Sequence, residues 1–290
     1  MNLLCIRKWS LLIVGVIYLL ATALGIFLFN FLNFDFWLNI LLADIGATIL
    51  VFIFSLIFNN ASVYDPYWSV QPIVILVAVA IKYSLNLSGI IILIVVSLWG
   101  IRLTANWIYT FKDFSYQDWR YLMLKEKTKV IYPIINFIGI HLVPTLVVYA
   151  CVMPAVFIMI NKPNLNWWFL VCVCLSVFAF SMQGIADFQM HKFRKSNVGK
   201  LIETGLWKYS RHPNYLGEIL TWWGVGLGAF SLMPDKYYLL VGAVLNTILF
   251  LSVSLPMAEK RQSNKDGYAE YKSRTRLLFP IKKPLFKSAK

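Results

Sequence analysis

The feature that most constrains this chain is a repeated run of about 20 apolar residues, the length an α-helix needs to cross a hydrocarbon core. Runs of this kind fall at 11–32, 38–58, 70–84, 88–109, 133–160, 165–187, 213–231 and 238–256. Charged residues make up 14% of the chain, against roughly a quarter in soluble domains. That excludes an ordinary soluble enzyme and a disordered chain. The expected class is all-α, a polytopic membrane protein with seven to eight transmembrane helices. The third run is short, and the seventh reads equally well as a re-entrant or tilted helix. Ala21-Thr22-Ala23 mimics a signal-cleavage site, but the apolar run continues to Phe34, so the first run reads as an uncleaved helix.

The net charge is +14. All of the basic residues except Lys82, Arg102, Lys162 and Lys236 lie in 1–10, 110–132, 188–212 and 257–290. These segments alternate with the sparsely charged loops, so the positive-inside rule places them, and both termini, in the cytoplasm. A bacterial inner membrane is the simplest setting. Topology accounts for the basic surplus, so the expected partners are the bilayer and an apolar lipid-like substrate, with no nucleic acid. No repeat or Pro/Gly linker divides the chain, which reads as one membrane domain, 1–290. The four cysteines have no metal-type spacing to a histidine, so neither a metal site nor a disulfide is expected.

An ionisable side chain inside a span is costly unless paired, so each one marks a functional position. The candidates are Asp44, Asp65, Arg102, Asp187 and Glu218. Counting along helices puts all but Asp44 at one level near the cytoplasmic face. Asp44 reads as an acid satisfied by local polar groups. Asp65 and Arg102 read as an ion pair or as catalytic groups, and Tyr64-Asp-Pro-Tyr67-Trp-Ser69 reads either as an aromatic wall for a flat apolar ligand or as an interfacial aromatic belt. The segment richest in chemistry is Gly205-Leu-Trp-Lys-Tyr-Ser-Arg-His-Pro-Asn-Tyr-Leu-Gly-Glu218. Pro213 suits a first helical turn, so Arg211 and His212 stand at a helix N-terminus, an anion site, with Asn214 and Glu218 following. Gln183, Asp187, His191 and Arg194 recur at helical spacing and share a face. Arg120, Arg194 and Arg211 are the cations available to a phosphorylated cofactor. No strand-borne GxGxxG is present, so a nucleotide would be held between helices.

These residues resemble the steroid 5-alpha-reductase family. The resemblance rests on the Gly205–Glu218 segment with Trp222-Trp-Gly224, on Asp65-Pro-Tyr-Trp-Ser, Trp99-Gly-x-Arg-Leu103 and Asp118-x-Arg-Tyr121, and on Gln183-x-x-x-Asp187 and Tyr271-x-x-x-Thr275. It covers most of 60–285, and 1–59 reads as extra N-terminal helices before that core. It implies an NADPH-dependent membrane oxidoreductase that reduces a carbon–carbon double bond of a lipid or steroid-like enone. Asp65 would stand at the family's catalytic carboxylate. Trp99 replaces its tyrosine donor, with Tyr64, Tyr67 or Tyr109 as substitutes. Asn214, Glu218, Tyr209, Asp187 and Gln183, with Arg194 and Arg120, would line the NADPH site. A rival resemblance, through Arg211-His-Pro-x-Tyr215, Glu259 and Tyr268-x-x-Tyr271, is to isoprenylcysteine carboxyl and phospholipid methyltransferases that use S-adenosylmethionine. Their paired acids are missing, because Glu259 sits between Ala258 and Lys260. A non-enzymatic scaffold binding anionic lipid is the third class.

Overall fold

The structure, a computed structural model, describes residues 3–281. Its elements are α-helices joined by short 3-10 and π-helical segments; among the described residues there is no strand, only one bridge between Ser210 and Arg276. Seven helical stretches are long and apolar enough to span a membrane: Arg7–Phe31, Phe36–Ile57, Ala61–Lys82, Leu87–Thr110, Trp119–Asn161, Trp167–Ser196 and Pro234–Gln262. The chain is therefore an integral membrane protein in class. The helix at the seventh expected run, Pro213–Leu232, is long enough but not apolar enough, because it carries Asn214, Glu218 and four glycines. The chain divides into two compact units, Met1–Lys162 and Pro163–Lys290.

In the first unit, α1 (Arg7–Phe31) packs on α2 (Phe36–Ile57), and α3 (Tyr67–Lys82) on α4 (Leu87–Thr110). A Cβ at Gly100 would come within 2.5 Å of the Ser69 carbonyl oxygen, so only glycine lets α4 approach α3 this closely. Arg7 donates from Nε to the Phe111 carbonyl (3.0 Å) and from Nη2 to that of Ile108 (2.6 Å), capping the end of α4. A short α5 (Trp119–Thr128) leads to α6 (Tyr132–Ile135) and α7 (Val143–Asn161). The π-helical turn between these two, Asn136–Leu142, has a cause in Pro144, which has no N–H to offer the carbonyl four residues back. Hydroxyls bridge the buried faces, Thr48 to Thr145 at 3.1 Å and Tyr64 to Thr145 at 2.9 Å.

Asp44 has the polar partners expected of it. It is buried, and its partners come from another helix: Tyr67 Oη donates to Oδ1 (3.0 Å) and Gln71 Nε2 to Oδ2 (2.5 Å). The helical period puts Tyr67 and Gln71 on one face of α3, opposite Asp44 on α2.

The second unit is built on α8 (Trp167–Ser196) against α9 (Pro213–Leu232). α8 continues past Asp187 to Ser196, since no glycine or proline interrupts that stretch. The glycine face of α9 is the contact: a Cβ on Gly217 would lie 2.6 Å from the Ala179 carbonyl oxygen, and one on Gly224 2.8 Å from that of Cys172. Both obstacles are backbone atoms and cannot rotate away. Gly217→Ala is expected to destabilise the protein by about 1–3 kcal/mol, the usual cost of overpacking, and thermal unfolding in detergent would measure it. Beyond α9 come α10 (Val241–Leu249), a π-helical turn ahead of Pro256, α11 (Leu255–Gln262) and α12 (Tyr268–Arg274).

Candidate functional site

Two polar clusters stand out, one in each unit. In the second unit, Gln183 and Asp187 lie one turn apart on α8, and Asn214, Glu218 and Trp222 recur at one-turn intervals on α9. The helices put an amide opposite a carboxylate twice. Gln183 Nε2 donates to Glu218 Oε2 at 2.9 Å, and Asn214 Nδ2 to Asp187 Oδ1 at 3.3 Å. Trp222 Nε1 donates to the other Glu218 oxygen at 2.9 Å. Glu218 is 1% exposed and Gln183 5%. Oε1 of Gln183 is buried with no hydrogen-bond partner, an acceptor that lacks its donor.

Arg211 and His212 both engage Glu259. Arg211 grips Glu259 through Nε (3.0 Å) and Nη2 (2.9 Å), and its Nη1 donates to the Thr275 carbonyl at 2.5 Å. The bonds from Glu259 outweigh burial, which opposes the charge, and hold the guanidinium above its ordinary value. His212 Nε2 meets Glu259 Oε1 at 2.7 Å. The backbone adds two ties, Arg211 N–H to the Arg276 carbonyl (2.9 Å) and His212 N–H to that of Leu277 (3.2 Å). Arg211, His212 and Glu259 thus fasten the start of α9 to α11 and to the strand-like segment after α12. Tyr209 is exposed on the turn before them. Cations gather close by: burial, then the charges of Arg194 and Arg261, push the Lys265 ammonium below its usual value. The sequence had suggested Arg194 but not Arg261 or Lys265, whose proximity depends on the turn between α11 and α12.

In the first unit, the turn carrying Asp65 is tied to the loop before α5. Asn60 Nδ2 donates to the carbonyls of Phe114 (3.0 Å) and Tyr116 (2.9 Å), and Asp118 N–H donates to Ser62 Oγ (3.0 Å). This brings Tyr121 Oη to 2.5 Å from Asp65 Oδ1. Arg120 stays on its own N-cap, donating from Nε to Asp118 Oδ1 at 2.8 Å. Trp99 is fully buried beside Trp68, and Arg102 sits one turn further along α4. Of the tyrosines considered as donors, Tyr64 is engaged with Thr145 and Tyr67 with Asp44, while Tyr109 is exposed. Tyr121 is the phenol that reaches Asp65. It had been visible only as part of Asp118-x-Arg-Tyr. Among the described residues, no group of acids, histidines and cysteines is placed to hold a metal.

A family model described as a protein of unknown function, DUF1295, matches residues 51–275. The chain belongs to the DUF1295 family. The matched span takes in Asp65, Tyr121, the α8–α9 cluster and Glu259, whereas α1 and most of α2, with Asp44, precede it. An uncharacterized protein of Schizosaccharomyces pombe is 28% identical over 153 residues, covering 43% of this chain and 44% of its own length. The chain thus spans less than half of that relative. No solved structure matches it.

Proposed function

We propose that this DUF1295 protein is an NADPH-dependent membrane oxidoreductase that reduces a carbon–carbon double bond conjugated to a carbonyl in a lipid. The observation that carries this reading is the paired ladder of Gln183–Glu218 and Asn214–Asp187, with the orphaned Gln183 Oε1 at its centre. Such an acceptor fits the amide N–H of a nicotinamide. The crowded cations Arg194, Arg261 and Lys265 fit the phosphates, including the one that distinguishes NADPH from NADH. The grouping of the family with steroid 5-alpha-reductase-like proteins supports the same direction.

When bound, NADPH supplies a hydride to the β carbon of the enone. Charge then develops on the carbonyl oxygen, which calls for a proton donor, and the first unit by itself holds an acid–phenol pair, Asp65 and Tyr121, joined by a 2.5 Å hydrogen bond. The turn held by Asn60 and Ser62 orients that pair, so the donor is preorganised. Glu218 and Asp187 position the two amides through their hydrogen bonds.

The test is a thermal-shift titration of the detergent-purified chain with NADPH, NADH and S-adenosylmethionine. A ligand at a hundredfold its dissociation constant stabilises the fold by about 2.7 kcal/mol. NADPH is expected to stabilise it more than NADH does, with the preference lost in Arg194→Ala and the whole effect reduced in Asn214→Ala. Stabilisation by S-adenosylmethionine alone would overturn the reading in favour of methyl transfer.

A further inference from the structure

The first unit contains an elongated cavity of about 440 Å³ between α1, α2 and α3, within the range of small-molecule sites. It exists because small residues face one another there: Ala21 and Gly25 on α1, Ala43 and Ala47 on α2, and Ala78 on α3. One end holds Asp44, Tyr67 and Gln71, and the other Lys82. Gln71 and Lys82 are eleven residues apart on one helix, so the cavity runs about 16 Å, half the thickness of a hydrocarbon core. At the far end the Lys82 ammonium lies 5.2 and 5.3 Å from the ring centroids of Phe29 and Phe36.

The chemistry of the near end is lopsided. Asp44 and Gln71 are 5% and 4% exposed. Tyr67 Oη and one N–H of the Gln71 amide are both spent on Asp44. That leaves the Gln71 Oε1 acceptor buried without a partner. Lys82 is the only cation among the lining residues and lies at the opposite end. A buried acid with an orphaned acceptor beside it, in apolar walls, leaves that acceptor calling for one more hydrogen-bond donor.

We infer that this slot binds a long-chain amphiphile taken up from the bilayer, which buries a hydrogen-bond-donating head, a hydroxyl or an ammonium, against Asp44 and Gln71. Neither Asp65 nor Tyr121 lines the slot, and the inference does not depend on the chain's being a reductase. Much of it comes from residues that precede the matched family span.

A hexadecanol carrying a diazirine at the end remote from the hydroxyl would test this on the full chain in nanodiscs. Photolabelling followed by mass spectrometry should place the adduct in 26–36 and 78–82, where the tail would end. Excess hexadecanol or hexadecylamine should suppress labelling at least tenfold more effectively than hexadecyl methyl ether, which has no donor. Competition by the amine, if it is lost in Asp44→Asn, identifies the ammonium as the preferred head; competition by the alcohol that survives the change identifies the hydroxyl. Gln71→Leu should cut labelling about tenfold. Ala78→Trp, a change on an exposed flank of α3 that fills the slot, should abolish it without lowering the unfolding temperature, so the test stands even if Gln71→Leu fails to fold. Equal competition by the ether, or adducts outside α1–α3, would overturn the inference.

Discussion

Glu259→Ala is expected to lower the stability of the second unit by about 3 kcal/mol, the low end of the range for breaking a buried ion pair from one side. The side chains of Arg211, His212 and Glu259 are 9%, 6% and 18% exposed, so the guanidinium left behind would have little water to turn to. Arg211→Ala should cost a similar amount. The double variant should lose less than the sum, since each single change already removes the shared interaction. Glu259→Gln keeps one acceptor oxygen, replaces the other with an NH2 donor and removes the charge, and should fall between wild type and Glu259→Ala. Thermal unfolding gives the magnitudes, and limited proteolysis locates the damage. The segment after Gln262 should become the first to be cut, because the Thr275, Arg276 and Leu277 carbonyls are what Arg211 and His212 hold. A wild-type-like melt for Glu259→Ala would show that the ion pair contributes nothing.

Asp65→Asn is expected to reduce turnover by 10²- to 10⁴-fold, the usual contribution of a positioned acid, while NADPH stabilises the variant as it does wild type. The readout is NADPH oxidation against a panel of enone lipids. Tyr121→Phe should lose less, since it removes a hydrogen bond to Asp65 and leaves the carboxyl in place. If both variants keep full turnover, proton supply comes from elsewhere. If Asp65→Asn also loses the NADPH shift, the carboxylate is holding the cofactor or the fold.

The apolar runs made the architecture legible, because only helices satisfy every backbone hydrogen bond inside hydrocarbon. The same logic explains where the reading slipped. The two π-helical turns answer to Pro144 and Pro256 within otherwise apolar stretches, and hydropathy does not register a shifted hydrogen-bond ladder. The α8–α9 cluster was largely readable, since i, i+4 spacing on each helix is written in the sequence and glycines mark the contact face. Glu259 as the partner of Arg211 was not, because 48 residues separate them and no local spacing brings them together. Asp44 was assigned to local groups because its own helix is the only neighbour a sequence supplies. Its real partners are 23 and 27 residues away on α3. Tyr121 lay within a quoted motif, but only the Asn60 and Ser62 ties to the loop before α5 turn its phenol toward Asp65.

The clamp that Arg7 places on the end of α4 bears on how the chain is assembled as it is made. Its acceptors, the carbonyls of Ile108 and Phe111, are encoded about a hundred residues after Arg7 itself. During synthesis α1 therefore enters the bilayer with its arginine unattached, and α2 and α3 must follow before that end can be fastened. That clamp can close only after the end of α4 has been made.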